Sequence, residues 1–118
     1  MQLIEEQFGR LYAAFNARDL ETLRAAMAPD VDWANGMTGG RVHGWAAVQA
    51  YWTEQWETLD PRVEPVRVST DAAGQVVVDV HQVVRDRAGV VLVDQMVRHT
   101  YWLRDGLVER MEIHASDE

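Results

Sequence analysis

Residues 90–115, VVLVDQMVRHTYWLRDGLVERMEIHA, read as two long antiparallel strands joined by a tight turn at Asp105-Gly106. β-branched and aromatic residues dominate both arms, and Gly106 supplies the residue that tolerates a left-handed backbone. A three-residue loop, a type I turn closed by that glycine, sets Leu103 opposite Leu107. Because strand side chains alternate, this register turns Val97, His99 and Tyr101 to one face with Glu109, Met111 and Ile113. Arg98, Thr100 and Trp102 then share the other face with Val108, Arg110 and Glu112. His99 is opposed to Met111, and Arg98 to Glu112 as an ion pair on the outer face. A two-residue Asp105-Gly106 turn is the rival; it shifts the register by one and sets Arg110, Glu112 and His114 beside His99. The first register groups apolar with apolar and pairs opposite charges, and is preferred.

Upstream, Gln75 to Arg85 forms another long strand, and Asp86-Arg87-Ala88-Gly89 repeats the glycine-terminated turn. The same three-residue loop pairs Asp86 with Val90. Val77, Asp79, His81 and Val83 then face inward with Val93, Gln95, Val97 and His99, and Val76, Val78, Val80 and Val84 face out with Leu92, Met96 and Trp102. Val63 to Val68 is a further strand, whose Pro65 marks an edge or a bulge.

The N-terminal half reads as helical. Ile4, Phe8, Leu11, Tyr12 and Phe15 fall at helical spacing over residues 2–16, with Glu5, Glu6, Arg10 and Asn16 off the stripe. Asp19 is an N-cap for a short helix through Leu20, Leu23 and Met27 that Pro29 ends. Val31 to Ala34 is a short strand; if Val31 faces the core, so do Trp33 and Asn35. It runs into a flexible loop, residues 35–40. Gly44 opens a third helix to about Leu59, with Trp45, Val48, Trp52, Trp56 and Leu59 on one stripe and Tyr51 and Gln55 beside it. The final Ser116-Asp117-Glu118 is expected as a loose tail.

At 118 residues the chain makes one domain, 1–118. The net charge of −8, without a basic cluster, opposes phosphate backbones and anionic lipid, so neither nucleic acid nor a membrane is an expected partner. No apolar run is long enough to span a bilayer, and the acidic N-terminus is unlike a signal peptide, so a cytoplasmic protein is expected. There is no Cys, hence no disulfide, thiol nucleophile or thiolate metal site, and no Lys, hence no Schiff base. Ser69 and Ser116 are the two serines, neither in a nucleophile elbow. Histidine and carboxylate acid–base chemistry without a cofactor remains, or none.

The order of these elements, with FNARDLETLRAAMAPDVDW, GWAAVQAYW and HTYWLRDGLVERMEI, resembles the SnoaL-like proteins of the nuclear-transport-factor-2-like superfamily over nearly the whole chain. The resemblance implies an α+β fold: a cone-shaped barrel of a curved, mainly antiparallel sheet, with three N-terminal-half helices enclosing a hydrophobic pocket. It also implies frequent dimerisation through the outer sheet face. His99 matches the pocket histidine of SnoaL-type polyketide cyclases, whose acid/base aspartate falls at Ile113 here. Ketosteroid isomerases carry a base aspartate near Trp33, a tyrosine near Leu11 and a protonated aspartate near His99, and none of the three is retained. Limonene-epoxide hydrolases carry an arginine and an aspartate where this chain has Asp79 and His81, and a second aspartate at Ile113; only Asn35 resembles their water-binding asparagine. The chain departs from all three patterns.

Asp79, His81 and His99 are the candidate catalytic residues, expected on one concave face with Asp79 diagonal to His99 and close enough to orient it. A desolvated histidine held by a carboxylate is a general base, with Tyr101, Asn35 or His81 polarising a ligand oxygen. Trp33, Asn35, Tyr12, Phe15, Tyr51, Trp52, Trp56, Val97, Tyr101, Met111 and Ile113 are expected to line the pocket around a small hydrophobic ligand. The plainer reading is that these polar groups satisfy one another, and that aromatic stripes at helical spacing are core. His/His/Asp is also a legitimate metal set, but no spaced motif accompanies it, and no metal is assigned. His43 is a solvated loop residue or a gate at the pocket mouth; Asp32 and His114 point outward. An apolar second sheet face calls for a partner, and a homodimer is expected. Three classes stay open: a cofactor-independent isomerase, cyclase or hydrolase, a carrier or sensor of a hydrophobic molecule, and a dimerisation module whose cavity is filled by aromatics.

Overall fold

The computed structural model describes residues 2–35 and 39–115. Residues 36–38 of the expected loop and the C-terminal residues 116–118 lie outside the described residues. Three helices, α1 (Gln2–Ala17), α2 (Leu20–Ala25) and α3 (Trp45–Thr58), precede or interrupt six strands. The strands are β1 (Met27–Ala34), β2 (Arg41–His43), β3 (Leu59–Thr70), β4 (Val76–Asp86), β5 (Val91–Arg104) and β6 (Leu107–Ala115). They form one curved, mixed sheet in the order β2-β1-β6-β5-β4-β3, which does not close on itself. β1 pairs β6 in parallel and every other pairing is antiparallel. The α+β fold expected from the sequence, a curved and mainly antiparallel sheet with three helices, is the one the chain adopts, with the sheet left open between β2 and β3.

The apolar stripe of α1 buries Phe8, Leu11 and Tyr12 against the concave face of the sheet. Burying each such side chain contributes roughly 1.5–3 kcal/mol. The helix ends at Arg18, whose φ of 60° is left-handed, with the Asp19 N–H bonded back to Ala14. Asp19 then caps α2, accepting from the Thr22 backbone and hydroxyl. Asn16 leaves the helical layer and meets the backbone of edge strand β3, donating to Val63 O at 2.8 Å and accepting from Val63 N at 3.0 Å. Gly44, at φ 88°, makes the corner into α3 that an L-residue enters only with strain. Two features were not legible in the sequence. β2 pairs with β1 at the sheet edge, and β1 begins at Met27, four residues before Val31, so α2 ends at Ala25 instead of running through Met27 to Pro29, which sits inside β1 where its register against β6 shifts.

The hairpin turn is the rival one. Asp105 and Gly106 have φ of 54° and 82°, the two positive values a type I′ turn requires, and Arg104 pairs with Leu107. Glu109 then bulges out unpaired between Val108 and Arg110, so Trp102 faces Arg110, Tyr101 faces Met111 and His99 faces Ile113. The turn and the bulge each shift the register by one. Together they shift it by two, so His99, Tyr101, Met111 and Ile113 share the expected inner face although their opposite numbers differ. Val108 is buried instead of outward, Glu109 reaches Arg104 at 3.3 Å instead of facing in, and Arg98 does not pair with Glu112.

At the preceding hairpin the expected loop forms, with Asp86 N bonded to Val90 O and Gly89 N to Asp86 O. Leu92 bulges, however, and the body of the hairpin pairs Val78 with His99 and Asp79 with Arg98. This single shift inverts the expected faces of β4. Val76, Val78, Val80 and Val84 are buried on the concave side, and Asp79 and His81 lie on the convex side. Energy explains the choice. The expected face would have buried a carboxylate without a counter-charge, at several kcal/mol, and exposed a row of valines.

Candidate functional site

Between the concave sheet face and the helices lies a cavity of about 60 Å³. α1 contributes Leu11, Tyr12 and Phe15, β1 contributes Trp33, and α3 contributes Tyr51, Trp52 and Gln55. The sheet contributes Pro61, Val63, Gln82, His99, Tyr101, Met111 and Ile113. Among the described residues, no Asp, Glu or Arg lines it. That space is more than enough to admit ordered water. The closed aromatic core considered above is thus not what forms.

The polar centre of this wall is a line of three side chains from α1 and β5. Tyr12 Oη is 2.7 Å from His99 Nδ1 and 2.8 Å from Tyr101 Oη. The Tyr12 and His99 rings lie nearly parallel, with centroids 5.9 Å apart. Phe8 packs on Tyr101 and Trp33 on both Tyr101 and Trp52, so the line is held in a tight aromatic frame. His99 is 7% exposed. Burial, reinforced by His114, lowers its pKa from 6.5 to about 4, so the imidazole is neutral near pH 7. Burial likewise pushes both tyrosines above the ordinary phenol value. All three groups are uncharged, and Tyr12 Oη, Tyr101 Oη and His99 Nδ1 each have a partner on the line. His99 Nε2 makes no hydrogen bond with a described residue.

Of the candidate residues, Tyr12, Phe15, Trp33, Tyr51, Trp52, His99, Tyr101, Met111 and Ile113 come together at the cavity. Val97 is buried on the same face outside the lining. Trp56 stacks on Trp52 behind the wall, its indole N–H buried without a partner and the Arg18 guanidinium 4.9 Å above the ring. Asn35 turns to the loop and donates to Gly39 O, leaving its own side-chain oxygen buried and unpaired.

Asp79 and His81 are not part of the site. Across the sheet from the cavity, Asp79 binds Arg98 at 2.8 Å and His81 binds Asp94 at 2.7 Å. The Asp79–His99 pair expected from the sequence is therefore separated by the thickness of the sheet, as are the three side chains of the His/His/Asp set to which no metal was assigned. No described group of three or more potential ligands is arranged for a metal. Gln82, Gln55, Leu11, Leu23, Ala34, Pro61 and Val63 line the cavity without having been singled out. Gln82 was hidden by the inverted face of β4; a valine row against a row holding Asp79 and His81 was the available signal. On the convex face Asp32 bridges Arg41 and Arg110, and Arg110 also binds Glu112, joining β2, β1 and β6.

The helix-covered, curved sheet with an interior cavity places the chain among α+β proteins of the nuclear-transport-factor-2-like class. The SnoaL-like domain profile matches residues 8–111, and the chain belongs to the SnoaL-like family. Among solved structures it is similar to a nuclear-transport-factor-2-like protein of unknown function from Burkholderia pseudomallei. That likeness is 24% identity over 98% of this chain and 92% of that one, with a TM-score of 0.82. A candidate polyketide cyclase from Pseudomonas putida is 20% identical, over 95% and 90%, at 0.80. TerC, co-crystallized with polyporic acid, is 26% identical, over 94% and 89%, at 0.80. No curated protein matches the chain.

Proposed function

We propose that this protein binds a small, uncharged, mainly hydrophobic molecule in the cavity and moves a proton on it without a cofactor, as an isomerase, cyclase or hydrolase does. The observation that carries this reading is the buried Tyr12–His99–Tyr101 line at a wall whose described residues include no Asp, Glu or Arg. An apolar cavity lowers the local dielectric and favours ligands that arrive neutral, while a few converging polar groups orient them. The likeness to cyclase-like proteins, and to one crystallised with an organic ligand, supports a small-molecule site. His99, oriented by Tyr12 instead of by Asp79, is the group that touches the ligand.

A carrier is the second reading, favoured by the lack of a carboxylate on the described wall. The two part at His99→Gln. Screened by ligand-observed NMR against uncharged cyclic ketones, diketones and epoxides, the wild type is expected to bind at least one and turn it over. His99→Gln should keep its Kd within a few-fold and lose about 100-fold or more in kcat. Binding without turnover in either protein would leave a carrier.

We also infer a homodimer through the convex sheet face, where half-buried Val77, Val83, Met96 and Trp102 alternate with ion pairs. Sedimentation equilibrium should give twice the chain mass for the wild type and a lower mass for Met96→Glu/Trp102→Glu. A wild-type monomer at micromolar concentration would sink this inference.

A further inference from the structure

The Tyr12–His99–Tyr101 line has a chemical property that an isolated histidine lacks. Each of its members both gives and accepts a proton, and both of its outer members, His99 and Tyr101, line the cavity. Two proton arrangements satisfy the same distances. In the first, Nδ1–H donates to Tyr12, Tyr12 donates to Tyr101, the Tyr101 proton is directed onward, and Nε2 carries a lone pair. In the second every bond is reversed: Tyr101 donates to Tyr12, Tyr12 donates to Nδ1, and Nε2 carries the proton.

We propose that Tyr12, His99 and Tyr101 work as one charge-neutral proton relay that interconverts the keto and enol forms of a small uncharged 1,3-dicarbonyl compound held in the cavity. This inference rests on the acid–base reading above and names the substrate class and the route of the proton.

The step balances. Nε2 takes the proton from the carbon between the two carbonyls as Nδ1–H passes to Tyr12, the Tyr12 proton passes to Tyr101, and the Tyr101 proton passes to a carbonyl oxygen. The C–H pair becomes the C=C bond, the C=O π pair becomes the new O–H bond, and nothing is oxidised or reduced. Each protein group gains one proton and loses one. The relay is left in its second arrangement, ready to run the reverse reaction, and proton exchange with solvent resets it.

Energetics favour this route over a conventional one. An imidazolium formed at His99 would be a buried cation with no described carboxylate on the wall, which is why its pKa stands near 4. A tyrosinate at Tyr101 would be a buried anion with no described cation on the wall beside it. General bases work best with a pKa near the working pH, and His99 alone is far below it. Passing protons along the line avoids both charged forms. Tyr12 is then a positioning residue that couples the two ends.

The test uses 2,4-pentanedione, a small uncharged enolisable diketone, and follows ketonisation of its enol by ultraviolet absorbance. Wild-type protein should accelerate ketonisation, with a rate that falls along a curved line as deuterium replaces hydrogen in the solvent, because several protons move together. Tyr12→Phe, which keeps the ring and removes the link, should lose about 100-fold or more in kcat with KM within three-fold. Tyr101→Phe, which breaks the line at its other end, should do the same. If the tyrosine variants stay within three-fold of wild type and only His99→Gln is inactive, or if the isotope plot is straight, the relay is overturned and the acid–base reading survives. If the wild type binds the diketone without accelerating it, or fails to bind it, this substrate class is wrong. The wider ligand screen then decides the acid–base reading independently.

Discussion

His99 is the residue where structure and pH meet. In the fold its pKa is about 4, lowered first by burial and then by His114, against 6.5 for a free histidine. Well above pH 6.5 folded and unfolded chains bind equally few protons at this site, so His99 contributes no pH dependence there. As pH falls from 6.5 toward 4 the unfolded chain takes up a proton that the folded chain refuses, and the unfolded state gains. A gap of about 2.5 pKa units corresponds to roughly 3 kcal/mol at the acid end. Urea unfolding of wild type and His99→Gln, taken as a difference, should therefore move in favour of the variant as pH is lowered through this window. A difference that stays constant would mean that the imidazole already protonates inside the fold.

Strands carry their information in parity, and parity here is set by single extra residues. Val66, Leu92 and Glu109 each lie unpaired where a register shifts. Glu109 compensates for the two-residue turn at Asp105-Gly106, returning Met111 and Ile113 to the cavity side. Its side chain is incidental: Glu109→Ala removes a long, exposed contact to Arg104 and should cost less than about 1 kcal/mol. Deleting Glu109 is different in kind. Every residue from Arg110 onward would change faces, burying Arg110 and Glu112 and exposing Met111, so the deletion should abolish cooperative thermal unfolding. Cooperative melting near the wild-type temperature in the deletion would show that the bulge does not set the register.

At the scale of the whole molecule, an open sheet needs its helical layer tied to it. The Asn16 side chain does this at edge strand β3, making two hydrogen bonds to the Val63 backbone as a neighbouring strand would. Arg18, two residues on, adds bonds to Pro61 O and Asp60. Asn16→Ala leaves a partly buried N–H and C=O without partners, which costs about 1–3 kcal/mol. A matching fall in the denaturant midpoint at constant m-value would check this. An unchanged midpoint would mean that water replaces the amide fully.

Local patterns in the chain were sufficient for the three helices, the cap at Asp19, the long strands of both hairpins and the edge position of the strand holding Pro65. Each depends on spacing or on the chemistry of one or two residues, which neighbours along the chain supply. The same locality put His99, Tyr101, Met111 and Ile113 on one face, through a register that was wrong by two and therefore right in parity. It failed at β4, where Leu92 looks like any other strand residue and the bulge is chosen only because the core accepts a valine row and rejects Asp79. The partner of His99 was equally beyond reach. Tyr12 lies 87 positions away in sequence, on a helix whose angle over the sheet follows from packing, so their hydrogen bond exists only once the two layers meet.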